Sequence, residues 1–90
     1  VEPQVLQLVR SIHPAWIVNC AAYTAVDNAE SDQKRAFAVT ALGPLHLALA
    51  AAECRTRLLH ISTDYVFGGY SNRSAPFREE DTPEPCGVYG

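Results

Sequence analysis

Leu58-Leu59-His60-Ile61-Ser62-Thr63-Asp64-Tyr65-Val66-Phe67 is the stretch whose reading decides the fold. Its first half, Leu58-Leu59-His60-Ile61-Ser62, is a short apolar run entered through Arg55-Thr56-Arg57 and reads as a buried parallel strand. The strand hands Ser62, Thr63 and Asp64, two hydroxyls and a carboxylate, to its carboxyl end. In an open α/β sheet that edge is where ligands bind. The same hydroxyls could instead satisfy the backbone of a turn. Taken alone, these residues leave both readings open.

Working upstream, Glu30-Ser31-Asp32 opens a long helix over residues 31–53. Phe37, Leu42, Leu45, Leu49 and many alanines are its expected buried side. Gly43-Pro44 predicts a bend or local break there, because proline lacks an amide hydrogen and its ring presses on the preceding turn. Residues 21–30 read as irregular and polar, and Ala15-Trp16-Ile17-Val18-Asn19-Cys20 as a second buried strand, apolar on both faces. Before it, residues 5–12 carry apolar side chains at helical spacing, with Pro3 suited to a first turn and His13-Pro14 ending the pattern. Downstream, residues 67–87 are rich in Gly, Pro, Ser and Asn and read as an extended surface loop, while Val88-Tyr89-Gly90 predicts the first turn of a further helix. Helix and strand alternate, which specifies an α/β fold with a parallel sheet and right-handed crossovers. Two strands cannot bury a parallel sheet by themselves, so an incomplete domain is expected.

Composition narrows the function. Of 90 residues, 48% are hydrophobic and 19% charged, a globular balance. A net charge of −3 with scattered Lys and Arg argues against nucleic acid as a partner. The start has neither a basic region nor an apolar core of signal-peptide length. The uncharged stretch over residues 36–52 contains Gly43, Pro44 and His46 and reads as too short and interrupted for a membrane span. Cys20, Cys54 and Cys86 form no CxxC pair, so reduced thiols in a cytoplasmic protein are expected. Asn72-Arg73-Ser74 is read as a chance glycosylation triplet.

Other polar residues take ordinary readings. His13, His46 and His60 lack metal spacing, and His60 is expected to pack within its strand. Asp27, Glu30 and Asp32 suit the capped, electropositive start of the long helix better than a cation site. Tyr65 and Phe67 are expected to pack beneath the ligand edge, and Glu79-Glu80-Asp81 to be a solvated loop.

A second segment follows the first strand: Asn19-Cys20-Ala21-Ala22-Tyr23-Thr24-Ala25-Val26-Asp27, then Ala29-Glu30-Ser31. Ala21 and Ala22 would let a flat ligand approach the backbone, and Thr24 adds a hydroxyl. Together with Ser62-Thr63-Asp64-Tyr65-Val66-Phe67, Phe77-Arg78-Glu79-Glu80-Asp81 and Val88-Tyr89-Gly90, this order of motifs resembles the dTDP-4-dehydrorhamnose reductases, which are extended short-chain dehydrogenase/reductases. The resemblance runs along essentially the whole chain.

It implies a fragment of a Rossmann-like, doubly wound parallel sheet in three α/β/α layers. Residues 1–90 would be the central part of the NAD(P)-binding domain, lacking the Gly-rich unit upstream and the substrate region downstream. It implies reduction by NADPH or NADH of the C4 ketone of dTDP-4-dehydro-L-rhamnose, a dTDP-sugar, to dTDP-L-rhamnose. Ala22, Tyr23, Thr24 and Ile61 would then line the cofactor. Thr63 and Asp64 would hold the sugar, Thr63 at the catalytic Ser/Thr position. Tyr89 would be the tyrosine of a Tyr-x-x-x-Lys motif, touching cofactor and substrate, with its lysine falling past Gly90. Mg2+ and a homodimer are compatible with the resemblance, and the isolated piece is expected to be inactive. Two departures stand out: Val39-Thr40 where the family has Val-Asn, and Gly68 where it has Asp. Two alternatives share the scaffold, namely a non-catalytic regulatory subunit like the beta subunit of methionine adenosyltransferase, and another nucleotide-sugar reductase or epimerase.

Overall fold

The computed structural model describes residues 3–70 and 73–90. Val1, Glu2, Ser71 and Asn72 lie outside them, and with Asn72 the glycosylation triplet.

Helix α1, Pro3–Ile12, leads into strand β1, Trp16–Asn19. His13 ends the helix in the left-handed region at φ 49°, and its amide donates to the Val9 carbonyl at 2.7 Å. The long helix ends similarly. Arg55, at φ 55°, donates to Ala52, and the Thr56 amide donates to Ala51 at 2.8 Å, a double closure that turns the chain into strand β2, Arg57–His60. The Thr56 hydroxyl then donates to the Pro14 carbonyl at 3.0 Å, tying the two strand entrances together.

β1 and β2 pair in parallel, with Trp16 opposite Arg57 and Asn19 opposite His60. Both strands therefore end at one edge, as the alternation predicts. One face of the pair, with Ile17, Leu58 and the buried Asn19, is the less exposed. On the other face Trp16, Val18 and Leu59 are 53%, 56% and 49% exposed, so the expectation of two strands buried on both faces is corrected. A doubly wound sheet needs helices on both faces. The described residues cover one.

Between the strands, residues 21–30 are not wholly irregular, since α2 forms a helical turn at Val26–Ala29. The long helix runs unbroken as α3, Gln33–Phe37, a π-helical turn, Ala38–Leu42, and α4, Gly43–Glu53. The bend or local break expected at Gly43-Pro44 is thus a local π-helical distortion and not an interruption of the helix. Proline clashes with the carbonyl four residues before it, and the wider π turn immediately upstream takes up that conflict without interrupting the helix. The continuous 21-residue segment Gln33–Glu53 is long and apolar enough to cross a membrane, so the reading of this stretch as too short and interrupted does not hold. Core helices of soluble proteins meet the same criterion, and this one packs on α1 and β2.

The core is built from small residues. Val9, Ala29, Ala36, Ala50 and Ala51 are buried, and alanine faces let α1, α4 and β2 approach closely. An exposed Arg10–Glu53 ion pair joins α1 to the end of α4. Phe37, Leu42, Leu45 and Leu49, expected inside, lie outside, with Phe37 60% exposed. Helix α1 and the strands occupy the alanine side, and no described element covers the larger residues.

After β2, a 3-10 turn spans Asp64–Phe67. The loop beyond it is closed by two backbone bonds, Glu84 to Val66 and Gly69 to Glu84, both 2.6 Å. Residues 88–90 form no helical turn. Three residues contain no pair far enough apart to make an i to i+4 bond.

Candidate active site

A cavity of 140 Å³ opens at the carboxyl ends of both strands. It is lined by Ala22 from the β1 side, Thr40 from the π turn, His60, Ile61, Ser62, Thr63 and Val66 from the β2 side, and Tyr89 with Gly90 from the end of the loop. Four residues singled out from sequence, Ala22, Ile61, Thr63 and Tyr89, meet there.

Thr63 meets the turn reading of its hydroxyl and also lines the cavity. It caps the 3-10 turn, its Oγ1 accepting the Tyr65 amide at 3.2 Å. A hydroxyl has two acceptor lone pairs and one donor hydrogen, so this bond leaves the hydrogen available to a ligand oxygen. Tyr89 is half-buried, its ring set edge-on against Tyr65 at 5.4 Å and 81°. Tyr65 thus braces Tyr89, but it is 50% exposed and is not packed beneath the ligand edge. Phe67 stacks on Phe77 at 4.3 Å instead.

Three residues stand apart. Asp64 lines a separate, largely apolar cavity of 410 Å³ with Tyr65, Phe67, Gly68, Phe77 and Cys86. Tyr23 turns its ring toward the helix, where its hydroxyl donates to Asp32 Oδ2 at 3.1 Å. Desolvation, then the bond to Asp32, push the Tyr23 phenol above its usual range. Thr24 is exposed and outside the 140 Å³ cavity.

Several polar residues do more than expected. His60 is exposed and accepts at Nδ1 from the Asn19 amide nitrogen at 3.1 Å, while Asn19 Oδ1 accepts the Ala21 amide at 3.2 Å. The Ala21 bond fixes Asn19's orientation, so Nδ2 is the donor and His60 Nδ1 carries the lone pair. This corrects the reading of His60 as strand packing, since the bonded chain ties the two strand ends together. Asp32 precedes α3 but makes no side-chain cap bond, its carboxylate being taken by Tyr23. Asp81 is paired with Arg73 at 2.7 Å and accepts the Arg78 amide, so it is not simply solvated. Thr40, which sequence reading treated as a departure, accepts the Tyr23 amide at 3.1 Å and lines the cavity. Its hydroxyl is the signal in the sequence, and Thr40 lies within the π turn. Among the described residues, no group of three or more His, Cys, Asp or Glu side chains is placed to hold a metal ion.

Parallel strands, a crossover helix and a hydroxyl-bearing edge define a Rossmann-like unit of the short-chain dehydrogenase/reductase type. UDP-N-acetylglucosamine 4-epimerase from Methanobrevibacter ruminantium shares this fold at TM-score 0.83 and 18% identity, over 98% of this chain and 27% of its own. Residues 2–90 match the family described as the RmlD substrate binding domain, and the chain belongs to that family. It is 52% identical over 79 residues to dTDP-4-dehydrorhamnose reductase of Mycobacterium tuberculosis, covering 86% of this chain and 26% of that protein. Against the enzyme of the same name from Escherichia coli K12 it is 46% identical over 86 residues, 96% of this chain and 28% of that one. The structure of the Bacillus anthracis reductase in complex with NADP superposes at TM-score 0.89 and 41% identity, over 96% of this chain and 30% of that one. This chain therefore spans between a quarter and a third of the length of these relatives. The resemblance read from the motifs and the Rossmann-like fold both hold.

Proposed function

We propose that this chain forms the reacting edge of an NAD(P)H-dependent reductase that converts dTDP-4-dehydro-L-rhamnose to dTDP-L-rhamnose in the cytoplasm. The observation that carries the reading is the meeting of Thr63 and Tyr89 in one cavity with Ala22 and Ile61. Ala22 contributes a small side chain and Ile61 an apolar one at the sheet edge, a surface that suits a flat nicotinamide ring. Ala22 and Ile61 would hold the cofactor, which supplies the hydride when bound, with Tyr23 and Thr24 of the Ala22 loop as contacts outside the 140 Å³ cavity.

The chain's own part is to handle charge and a proton. Negative charge builds on the substrate's C4 oxygen as that carbon is reduced, and the Thr63 hydroxyl donates a hydrogen bond to it. Tyr89 delivers its phenolic proton to the same oxygen, acting as general acid. Asp64 orients sugar hydroxyls from the neighbouring cavity. NADP in the B. anthracis relative supports the cofactor class, and the names of the relatives support the substrate.

The test uses the full-length protein. NADPH should be consumed when dTDP-4-dehydro-L-rhamnose is supplied, with dTDP-L-rhamnose as product. NADPH binding without consumption in the presence of that sugar would overturn the reading.

A further inference from the structure

We propose that Glu30 is a positioning residue that holds Tyr89 at the reaction cavity, an inference resting on the role proposed for Tyr89. Glu30 follows the last residue of α2, and by sequence it belongs to the start of the long helix. Its carboxylate goes elsewhere. Oε1 accepts the backbone amide of Val88 at 2.9 Å, across 58 residues of chain and one residue before Tyr89.

Three observations make this contact a device rather than a chance surface bond. First, among the described residues the loop's last backbone–backbone bonds before Tyr89 are those at Glu84, so the Glu30 carboxylate is the hydrogen-bond anchor next to Tyr89. Second, Tyr65 braces one side of the Tyr89 ring. An edge-on aromatic contact resists tilting but barely resists sliding along the chain, whereas a hydrogen bond to the adjoining amide fixes the chain along its length. Third, a Cβ at Gly87 would stand 3.0 Å from the same Oε1, so a side chain there would press on the carboxylate and shift it by a few tenths of an ångström.

The bond is exposed, and its contribution to stability is correspondingly small. Its effect is on position. Misplacing a reacting group by about 1 Å can cost on the order of 100-fold in rate. An amide acceptor at this place would serve nearly as well as a carboxylate, because what Val88 needs is an oxygen.

In the full-length protein, Glu30→Ala should lower kcat roughly 10- to 100-fold while NADPH affinity stays within about twofold. Glu30→Gln should restore kcat to within about threefold of the parent, and Gly87→Ala, which crowds the same oxygen, should lower it again. Unchanged kcat in Glu30→Ala overturns the proposal, as does a Glu30→Gln as slow as Glu30→Ala. A probe independent of turnover separates this from failure of the reductase reading. With 3-fluorotyrosine at position 89, the fluorine resonance should shift or broaden in Glu30→Ala and return in Glu30→Gln. If the parent protein proves inactive on the sugar, that spectrum alone decides, and a resonance indifferent to Glu30→Ala refutes the positioning role.

Discussion

The Thr40 hydroxyl accepts the backbone amide of Tyr23 at 3.1 Å, joining the π turn of the long helix to the loop that leaves β1. Thr40 lies within that π turn and lines the cavity edge. Thr40→Val removes the acceptor with little change in volume. It should weaken NADPH binding about fivefold, the worth of one hydrogen bond, and Thr40→Ser should not. Isothermal titration of the full-length protein with NADPH checks this, and equal affinities for all three proteins would show that the contact is dispensable.

Tyr89→Phe deletes the proposed acid and leaves the ring against Tyr65 in place. Turnover should fall by at least about 100-fold with cofactor affinity nearly unchanged. Steady-state rates alongside a binding titration measure both quantities, and retained turnover would remove Tyr89 from the mechanism.

Thr63 carries two tasks, capping the 3-10 turn and presenting a hydroxyl to the cavity. Thr63→Val should lose both, with kcat down roughly 100-fold and a modest loss of stability. Thr63→Ser keeps the oxygen and should stay within about tenfold of the parent. If Thr63→Val lowers only the melting temperature, the hydroxyl has no part in the chemistry.

Tyr23 gives a pH dependence of known sign. Its phenol is raised above the usual value of 10.0 by desolvation and by donation to Asp32. A group with a raised folded-state pKa stabilises the fold fully below its unfolded value, and that contribution is lost as pH rises through the folded one. The parent's melting temperature should therefore fall more steeply above about pH 10 than that of Tyr23→Phe, with no difference in slope near neutrality. Parallel melting curves through that range would dissociate Tyr23 from alkaline stability.

Gly69 lies where the loop closes on itself. A Cβ there would stand 2.6 Å from the Glu84 carbonyl oxygen, a backbone atom held in the closing bonds. Gly69→Ala should cost about 1–3 kcal/mol, read by urea unfolding, and should speed proteolysis within residues 73–83. Unaltered cleavage would mean that the loop tolerates the displacement.

Much of the architecture was legible because it follows from local rules. Proline and glycine punctuation, apolar runs and helical spacing marked α1, both strands and the long helix, and alternation made the sheet parallel. The motifs likewise named Ala22, Ile61, Thr63 and Tyr89, which the cavity unites. The misreadings involve partners distant in sequence. Pro44 signals a bend or a break, and which of the two forms is decided by the π turn, a collective adjustment of the preceding residues. Asp32 and Glu30 looked like helix-start charges, but Tyr23 and Val88 claim their carboxylates. Hydrophobicity alone places Phe37 and Leu49 in the core, yet burial depends on which neighbours are present, and the alanine side is the one covered.

By itself the sequence determined the order and type of the elements, the edge at which chemistry gathers and the family to which the chain belongs. Each of those depends on residue identity and short-range spacing. Tertiary structure alone decided that Thr40 and His60 border the site, that Asp64 faces a different cavity, and that Glu30 reaches the chain beside Tyr89. Those relationships depend on where separate segments come to rest. Hydrogen bonds formed across the fold, invisible to any local pattern, set that arrangement.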